Sequence, residues 1–327
     1  MDPQLPLIVR ALREAEEILV TCHRSPDGDA MGSLLAVGLI LRELGKRTTL
    51  YSTDPVPSQF AFLPLTDRVV TRLPADARFD VSLAVDTGDE KLLGPDFPPA
   101  SRRGTVIVLD HHGSATPFGD LRWHRPAAAA TGVLVAELAR ALEVQITPEL
   151  AEPLWCALYT DTGGFRYSST DGSVLRLAGE LVEAGIHPWD VSVQLYECNP
   201  RERIQLLGRV LQTIAVSASG QIASLAITEE MLREAKADDS MLDGFINYAR
   251  SIAGVEVAVQ VLQQGDRCRI SLRSKGRIDV GELAQRLGGG GHHNAAGCVL
   301  EGSPEAVQQR VQRLLEEALD HADRKGL

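Results

Sequence analysis

Aspartate and histidine concentrate at four places in the first half of the chain. His23-Arg24-Ser25-Pro26-Asp27-Gly28-Asp29 follows an apolar run at 18–22. Asp86 ends the run 81–85, Asp110-His111-His112 ends the run 105–109, and Asp161 closes an apolar stretch before Thr162-Gly163-Gly164. Pro26 and Gly28 demand a turn, so one loop could bring His23, Asp27 and Asp29 together. Adjacent residues of an extended chain point to opposite sides; one of His111 and His112 could bind a metal while the other faces a substrate. Each place alone has a plain structural reading: a polar turn, a helix cap at Asp29, a turn acid at Asp86 or Asp89, a surface histidine pair, a loop acid at Asp161. Gathered in one crevice, Asp27, Asp29, Asp86 and Asp161 would repel and take up protons unless cations neutralised them. Carboxylates with imidazoles suit Mn²⁺, with Mg²⁺ or other divalent ions as substitutes. None of the five cysteines forms a CxxC pair, so nothing supports a structural zinc site or a disulfide framework. Two divalent cations are therefore expected, a pair able to activate water and polarise a phosphoryl oxygen.

The elements that must position these groups follow from patterning. Short apolar runs at 18–22, 48–51, 81–85 and 105–109 read as buried parallel strands. Stretches 31–44, 131–142, 149–160, 173–184 and 188–196 carry helical spacing. This rhythm predicts an α/β fold with a doubly wound, mostly parallel sheet, whose ligands bind at the carboxyl ends of the strands. Glu197-Cys198-Asn199-Pro200 breaks the pattern. Helix 201–211 reads as a connector, followed by a smaller α+β domain. Its hairpins are 213–218 with 222–227 and 256–263 with 267–274, turning at Ser219-Gly220 and Gly265-Asp266, and its helices are 279–287 and 304–322. The expected division is 1–197, 198–212 and 213–327.

In order and context, His23-x-x-x-Asp27-x-Asp29, Asp86, Asp110-His111-His112 and Asp161 resemble the DHH phosphoesterase family. Gly288-Gly289-Gly290-Gly291-His292-His293-Asn294-Ala295-Ala296-Gly297, preceded by Ser271-Leu272-Arg273-Ser274, resembles the signature of the DHHA1 domain. The resemblance spans nearly the whole chain and is greatest to the NrnA-type branch, which degrades short oligonucleotides and dephosphorylates 3′-phosphoadenosine 5′-phosphate. It implies one metal on His23, Asp27 and Asp86, and another on Asp29, Asp86, His111 and Asp161, with Asp86 bridging. It further implies that Asp110 orients a histidine and that His112 faces the substrate phosphate.

In the second domain, the backbone N–H groups of 288–291 could form an anion-binding nest; a flexible linker is the plain alternative. Arg273 suits bidentate phosphate contact. Lys275 and Arg277 read equally as a solvated hairpin edge. The substrate-binding candidates are Arg273, Gly289, Gly290, Gly291, His292 and His293, joined by Arg166 of the first domain, where a plain surface charge is the alternative. A phosphate in the metal crevice and a terminal nucleotide in the second domain would admit only short fragments.

Composition agrees. Lys and Arg number 33 against 44 Asp and Glu, a formal charge of −11. That balance disfavours broad attachment to long duplexes and favours short RNA or DNA oligonucleotides and nucleotides as partners. No apolar run reaches membrane-spanning length and the N-terminus lacks signal-peptide features, so a cytoplasmic protein without a membrane partner is expected, as a homodimer. The expected activity is hydrolysis of dinucleotides and other nanoRNA to nucleoside 5′-monophosphates, and of 3′-phosphoadenosine 5′-phosphate to AMP and phosphate. The rivals are a signalling phosphodiesterase for cyclic or linear dinucleotides and, in another class, a non-catalytic nucleotide-sensing or RNA-binding module. Loss of a ligand acid would mark the latter, and all are present.

Overall fold

The computed structural model describes residues 2–113 and 116–325, with nothing described for the side chains of His292 and 323–325. It divides into two units, Met1–Cys198 and Asn199–Leu327.

The first unit runs α1 (Leu5–Glu14), β1 (Glu17–Thr21), α2 (Gly28–Glu43), β2 (Arg47–Tyr51), β3 (Val69–Val70), β4 (Val81–Val85), β5 (Thr105–Asp110), β6 (Leu121–His124), α3 (Thr131–Ala141), α4 (Pro148–Asp161), α5 (Gly172–Glu183) and α6 (Pro188–Tyr196). Its six strands are all parallel, in the order β3-β2-β1-β4-β5-β6. The winding reverses between β1 and β4, which makes the carboxyl ends of those two strands the topological switch point. Alternation decides what each face meets. Ile18, Val20, Leu83, Val85, Ile107 and Leu109 pack in one buried cluster with the apolar sides of α1 to α4. Leu19, Ala84, Val106 and Val108 face the other way and meet Tyr51, Phe79, Leu93 and Phe97. That second face is met by irregular chain and by the short 3₁₀ helix Glu90–Leu93.

Helix α2 begins at Gly28, three residues before the apolar periodicity, because the Asp27 carboxylate accepts from the backbone N–H groups of Asp29 and Ala30. Sequence reasoning missed α1 and β6. The first is short and amphipathic, with Ile8 and Leu12 fully buried. The second, Leu-Arg-Trp-His, alternates in burial with only Trp123 inside, a pattern too short to stand out.

The second unit comprises α7 (Arg201–Leu211), β7 (Ala215–Val216), β8 (Ile222–Ile227), α8 (Glu229–Ala235), α9 (Phe245–Arg250), β9 (Val257–Gln264), β10 (Arg267–Ser274), α10 (Val280–Arg286), β11 (Gly290–His292), β12 (Ala295–Glu301) and α11 (Pro304–Lys325). Its sheet is ordered β11-β12-β10-β9-β8-β7, antiparallel except for β8 beside β9. Leu206 and Val210 of α7 are buried with Leu225, Phe245 and Leu262. That helix is therefore part of this unit's core, where the sequence pattern reads as a bare connector. Among the described residues no helix is long and apolar enough to cross a membrane.

Candidate metal centre

Strand register assembles the site. Thr21 pairs with Ala84, and Val85 pairs with Leu109. Two residues past Thr21 comes His23; two past Ala84 comes Asp86; one past Leu109 comes Asp110. Three adjacent strand ends thus deliver an imidazole and two carboxylates at the switch point. Asp86 turns away from its strand with φ of 54°, a left-handed conformation that an aspartate tolerates better than most residues. Its N–H is anchored to the Leu109 carbonyl at 2.9 Å.

Asp86 is 1% exposed and lies at the centre. The His23 Nε2 is 3.4 Å from its Oδ2, and the His111 Nε2 is 3.6 Å from its Oδ1. His23 Nε2 also approaches Asp27 at 3.9 Å. His111 Nε2 sits 3.6 Å from Asp29 and 3.4 Å from Asp161. Three groups hold ligand atoms close enough to share a cation: His23, Asp27 and Asp86; Asp29, His111 and Asp161; and Asp86, His111 and His112. The donors are oxygens and imidazole nitrogens, which fits a divalent ion of the Mn²⁺ or Mg²⁺ kind.

Both inward histidines are held in one ring orientation. His23 Nδ1 donates to the Arg24 carbonyl at 2.8 Å and His111 Nδ1 to the Ala128 carbonyl at 3.0 Å, so each presents Nε2 to the acids. His112 Nδ1 instead donates to the buried Asp110 at 2.6 Å. His124, opposite Asp110 in the β5–β6 register, donates from Nε2 to the His112 carbonyl at 2.7 Å.

Several positioning groups escaped the sequence reading. The start of α3 closes over Asp29: the N–H groups of Thr131 and Gly132 donate to its two oxygens at 2.6 and 2.9 Å, and Ser33 Oγ adds a third donor at 3.0 Å. Thr131 Oγ1 donates to Asp86 Oδ1 at 2.9 Å. A helix beginning at Thr131 is legible in the sequence, but its partner 102 residues earlier is not.

The electrostatics are those of crowded buried acids. Burial, the Asp86 charge and the Asp161 charge push Asp29 up, against the pull of His111. Burial, moderated by His111 and reinforced by Asp27 and Asp86, raises Asp161 to about 7. Burial would also raise Asp86, but the His23 hydrogen bond and the charges of His112, His23 and His111 drive it well below the usual carboxylate range. Burial opposes charge on the imidazoles and is outweighed by the acids: His23 rises to about 10 through Asp86 and Asp27, and His111 to about 9 through Asp29, Asp86 and Asp161. His112 moves up as well, chiefly through Asp110 once burial is overcome. Without a cation, protons do the neutralising.

Arg166 is exposed, and its Nε donates to the Gly163 carbonyl at 2.5 Å. In the second unit, Arg273 is half-buried on β10 between Ala258 and Ala295. The glycine run differs from the expected nest. Gly290 and Gly291 are strand β11, paired with Gly297 and Ala296. A Cβ on Gly291 would stand 2.4 Å from the Ala296 Cα, and one on Gly289 would stand 2.0 Å from the Gly297 carbonyl oxygen. Close approach to β12 therefore demands those glycines. His293 and Asn294 form the tight turn into β12. The His293 ring bonds the Gly276 carbonyl at 2.8 Å and Asp279 at 3.2 Å, tying the turn to the α10 cap. The His292 side chain lies outside the described residues.

Residues 17–158 match the DHH family, N-terminal domain, and residues 219–323 match the DHHA1 domain. A bifunctional oligoribonuclease and PAP phosphatase, NrnA of Thermus thermophilus, is 32% identical across 99% of this chain and 96% of its own length. The chain belongs to the DHH family. The NrnA of Bacillus subtilis is 26% identical over 91% of this chain and 94% of that protein. The crystal structure of an exopolyphosphatase-related protein from Bacteroides fragilis superposes with a TM-score of 0.90 at 26% identity, covering 98% of this chain and 97% of that one. RecJ of Thermus thermophilus in complex with Mn²⁺ shares the fold at a TM-score of 0.52 and 15% identity, covering 98% of this chain and 54% of that chain.

Proposed function

We propose that this DHH-family chain is a metal-dependent phosphoesterase. Its substrates are short oligonucleotides, cleaved to nucleoside 5′-monophosphates, and 3′-phosphoadenosine 5′-phosphate, cleaved to AMP and phosphate. The observation that carries the reading is the shared position of Asp86 between two inward-facing imidazoles, with Asp27 on one side and Asp29 and Asp161 on the other. Its support from relatives is the printed activity of the NrnA proteins aligned end to end with this chain. His23, Asp27 and Asp86 would hold one divalent cation, and Asp29, Asp86, His111 and Asp161 a second. Mn²⁺ is the expected ion. When bound, such a pair activates water and neutralises charge on the phosphoryl oxygens.

The chain's own groups do the rest. The α3 N–H groups and Ser33 fix the Asp29 carboxylate before any ion arrives, so no reorganisation is needed at that position. Asp110 orients His112 and, together with the Asp86 charge, shifts it toward its protonated form. A His112 proton passes from Nε2 to the departing oxygen as the P–O bond breaks, so the leaving group departs as a neutral hydroxyl. Arg273 is assigned to a substrate phosphate or base.

Parallel assays with Mn²⁺ test this: 3′-phosphoadenosine 5′-phosphate, linear dinucleotides, cyclic dinucleotides and twenty-nucleotide RNA. Release of mononucleotide from dinucleotides and of phosphate from the bisphosphate is expected, with long RNA cut more slowly. Exclusive cleavage of cyclic dinucleotides would favour the signalling role, and no turnover on any of them would refute catalysis.

A further inference from the structure

Helices α10 and α11 of the second unit enclose a groove of about 290 Å³. Its floor is apolar, made by Leu283, Leu287 and Leu314, and its rim carries Arg286, Arg310 and Arg313. Spacing explains the layout. Leu283 and Arg286 stand at i and i+3 of α10 with Leu287 at its C-cap, and Arg310, Arg313 and Leu314 at i, i+3 and i+4 of α11. The buried seam of α11 is Val307, Val311, Leu315 and Leu319, so the groove lies along its flank. Glu317 is the one acid in the lining.

Arginines elsewhere in this acidic chain are commonly paired: Arg42 with Glu149, Arg103 with Glu90, Arg125 with Glu137, Arg269 with Asp239. Among the described residues Arg286, Arg310 and Arg313 form no such pair, although Glu317 lies one turn from Arg313. Three exposed guanidinium groups lining one groove offer an anion several charged donors. Guanidinium forks match phosphate oxygens bidentately, and their planes and the leucine floor offer an apolar surface to a base. The volume approaches the lower end for small-molecule sites, which suits a mononucleotide and leaves no length for an extended acidic peptide.

We infer that this groove binds a nucleoside monophosphate, phosphate on the arginine rim and base over the leucines. The inference does not depend on the metal-centre reading, because its test is run in chelator.

Equilibrium dialysis of the full chain against labelled AMP in EDTA reads the site directly. The Arg310→Gln/Arg313→Gln variant should lose one bound AMP per chain, or weaken that class at least about tenfold. Glu317→Gln, which removes the only acid, should tighten it about threefold, and a gain of binding cannot arise from misfolding. Inorganic phosphate should compete at least about tenfold less well than AMP, since it leaves the floor bare. Unchanged AMP stoichiometry and affinity in both variants would overturn the site. Equal competition by inorganic phosphate would overturn the nucleotide assignment.

Discussion

Asp86 is the residue on which the centre turns. Its φ of 54° is accessible to asparagine, so Asp86→Asn should keep the fold while removing the charge that both imidazoles face. Turnover is expected to fall more than about a hundredfold, beyond the loss typical of an outer ligand partner, with an unchanged melting curve; near-normal turnover would exclude a shared metal position. His112 gives a signed prediction. Asp110 raises its pKa, and as a proton donor it loses activity as pH rises through that pKa. Asp110→Asn should therefore shift the alkaline limb of the kcat profile to lower pH and cut kcat about 10- to 100-fold; an unmoved limb would assign the proton elsewhere. The inward imidazoles titrate high, His23 at about 10 and His111 at about 9. At pH 8 both hold protons in the metal-free site, and a cation must displace them. Mn²⁺ binding should release protons and strengthen as pH rises toward 9. Calorimetry in buffers of different ionisation heat reads this, and pH-independent binding without proton release would contradict it. Most of these residues were legible because each candidate ligand sits at the end of an apolar run or in the loop just after it. Thr131, Ser33 and the Ala128 carbonyl were not, since ordinary side chains and backbone groups carry no local mark of a distant partner.

At the scale of elements, two features hold the acids apart at the right spacing. The first is the β1–β4 switch point; the apolar runs and their βα alternation announced a parallel sheet but not the strand order that places it. The second is the crossing of α2 and α4, which no local pattern announced. A Cβ at Gly32 would lie 2.4 Å from the Pro153 carbonyl oxygen and 2.9 Å from the Ala157 nitrogen, so the two backbones meet there. Asp29 lies in the first turn of α2 and Asp161 ends α4, so their separation depends on that contact. Gly32→Val should push the helices apart, destabilise by about 1–3 kcal/mol, and weaken Mn²⁺ binding more than an equally destabilising core change such as Leu138→Ala. Equal metal affinity at lowered stability would show the crossing to be a packing matter only. In the second unit, the glycine run reads in sequence as an anion nest or a linker. The structure makes its second half part of strand β11, because backbone proximity across a sheet demands glycine as firmly as a ligand does. A Gly-rich stretch alone does not distinguish these demands.

For the whole molecule, the formal charge of −11 separates a small phosphorylated substrate from a polymer. Raising salt from about 50 to 200 mM should weaken dinucleotide binding less than about tenfold, where a polymer binder with six phosphate contacts loses about a thousandfold; a polymer-like slope would reveal an extended nucleic-acid track. The alternating first half and the mixed second half were readable from periodicity. The membership of α7 in the second unit's core was not, since Leu206 and Val210 gain meaning only from partners on β8 and β9. The account rests on divalent cations in the pocket centred on Asp86, and stripping them is the most direct test. Chain freed of divalent ions by chelation should be folded and inactive toward dinucleotides, and stepwise return of Mn²⁺ should restore turnover as bound metal reaches two ions per chain. Full turnover in a preparation with no detectable bound divalent ion would contradict it.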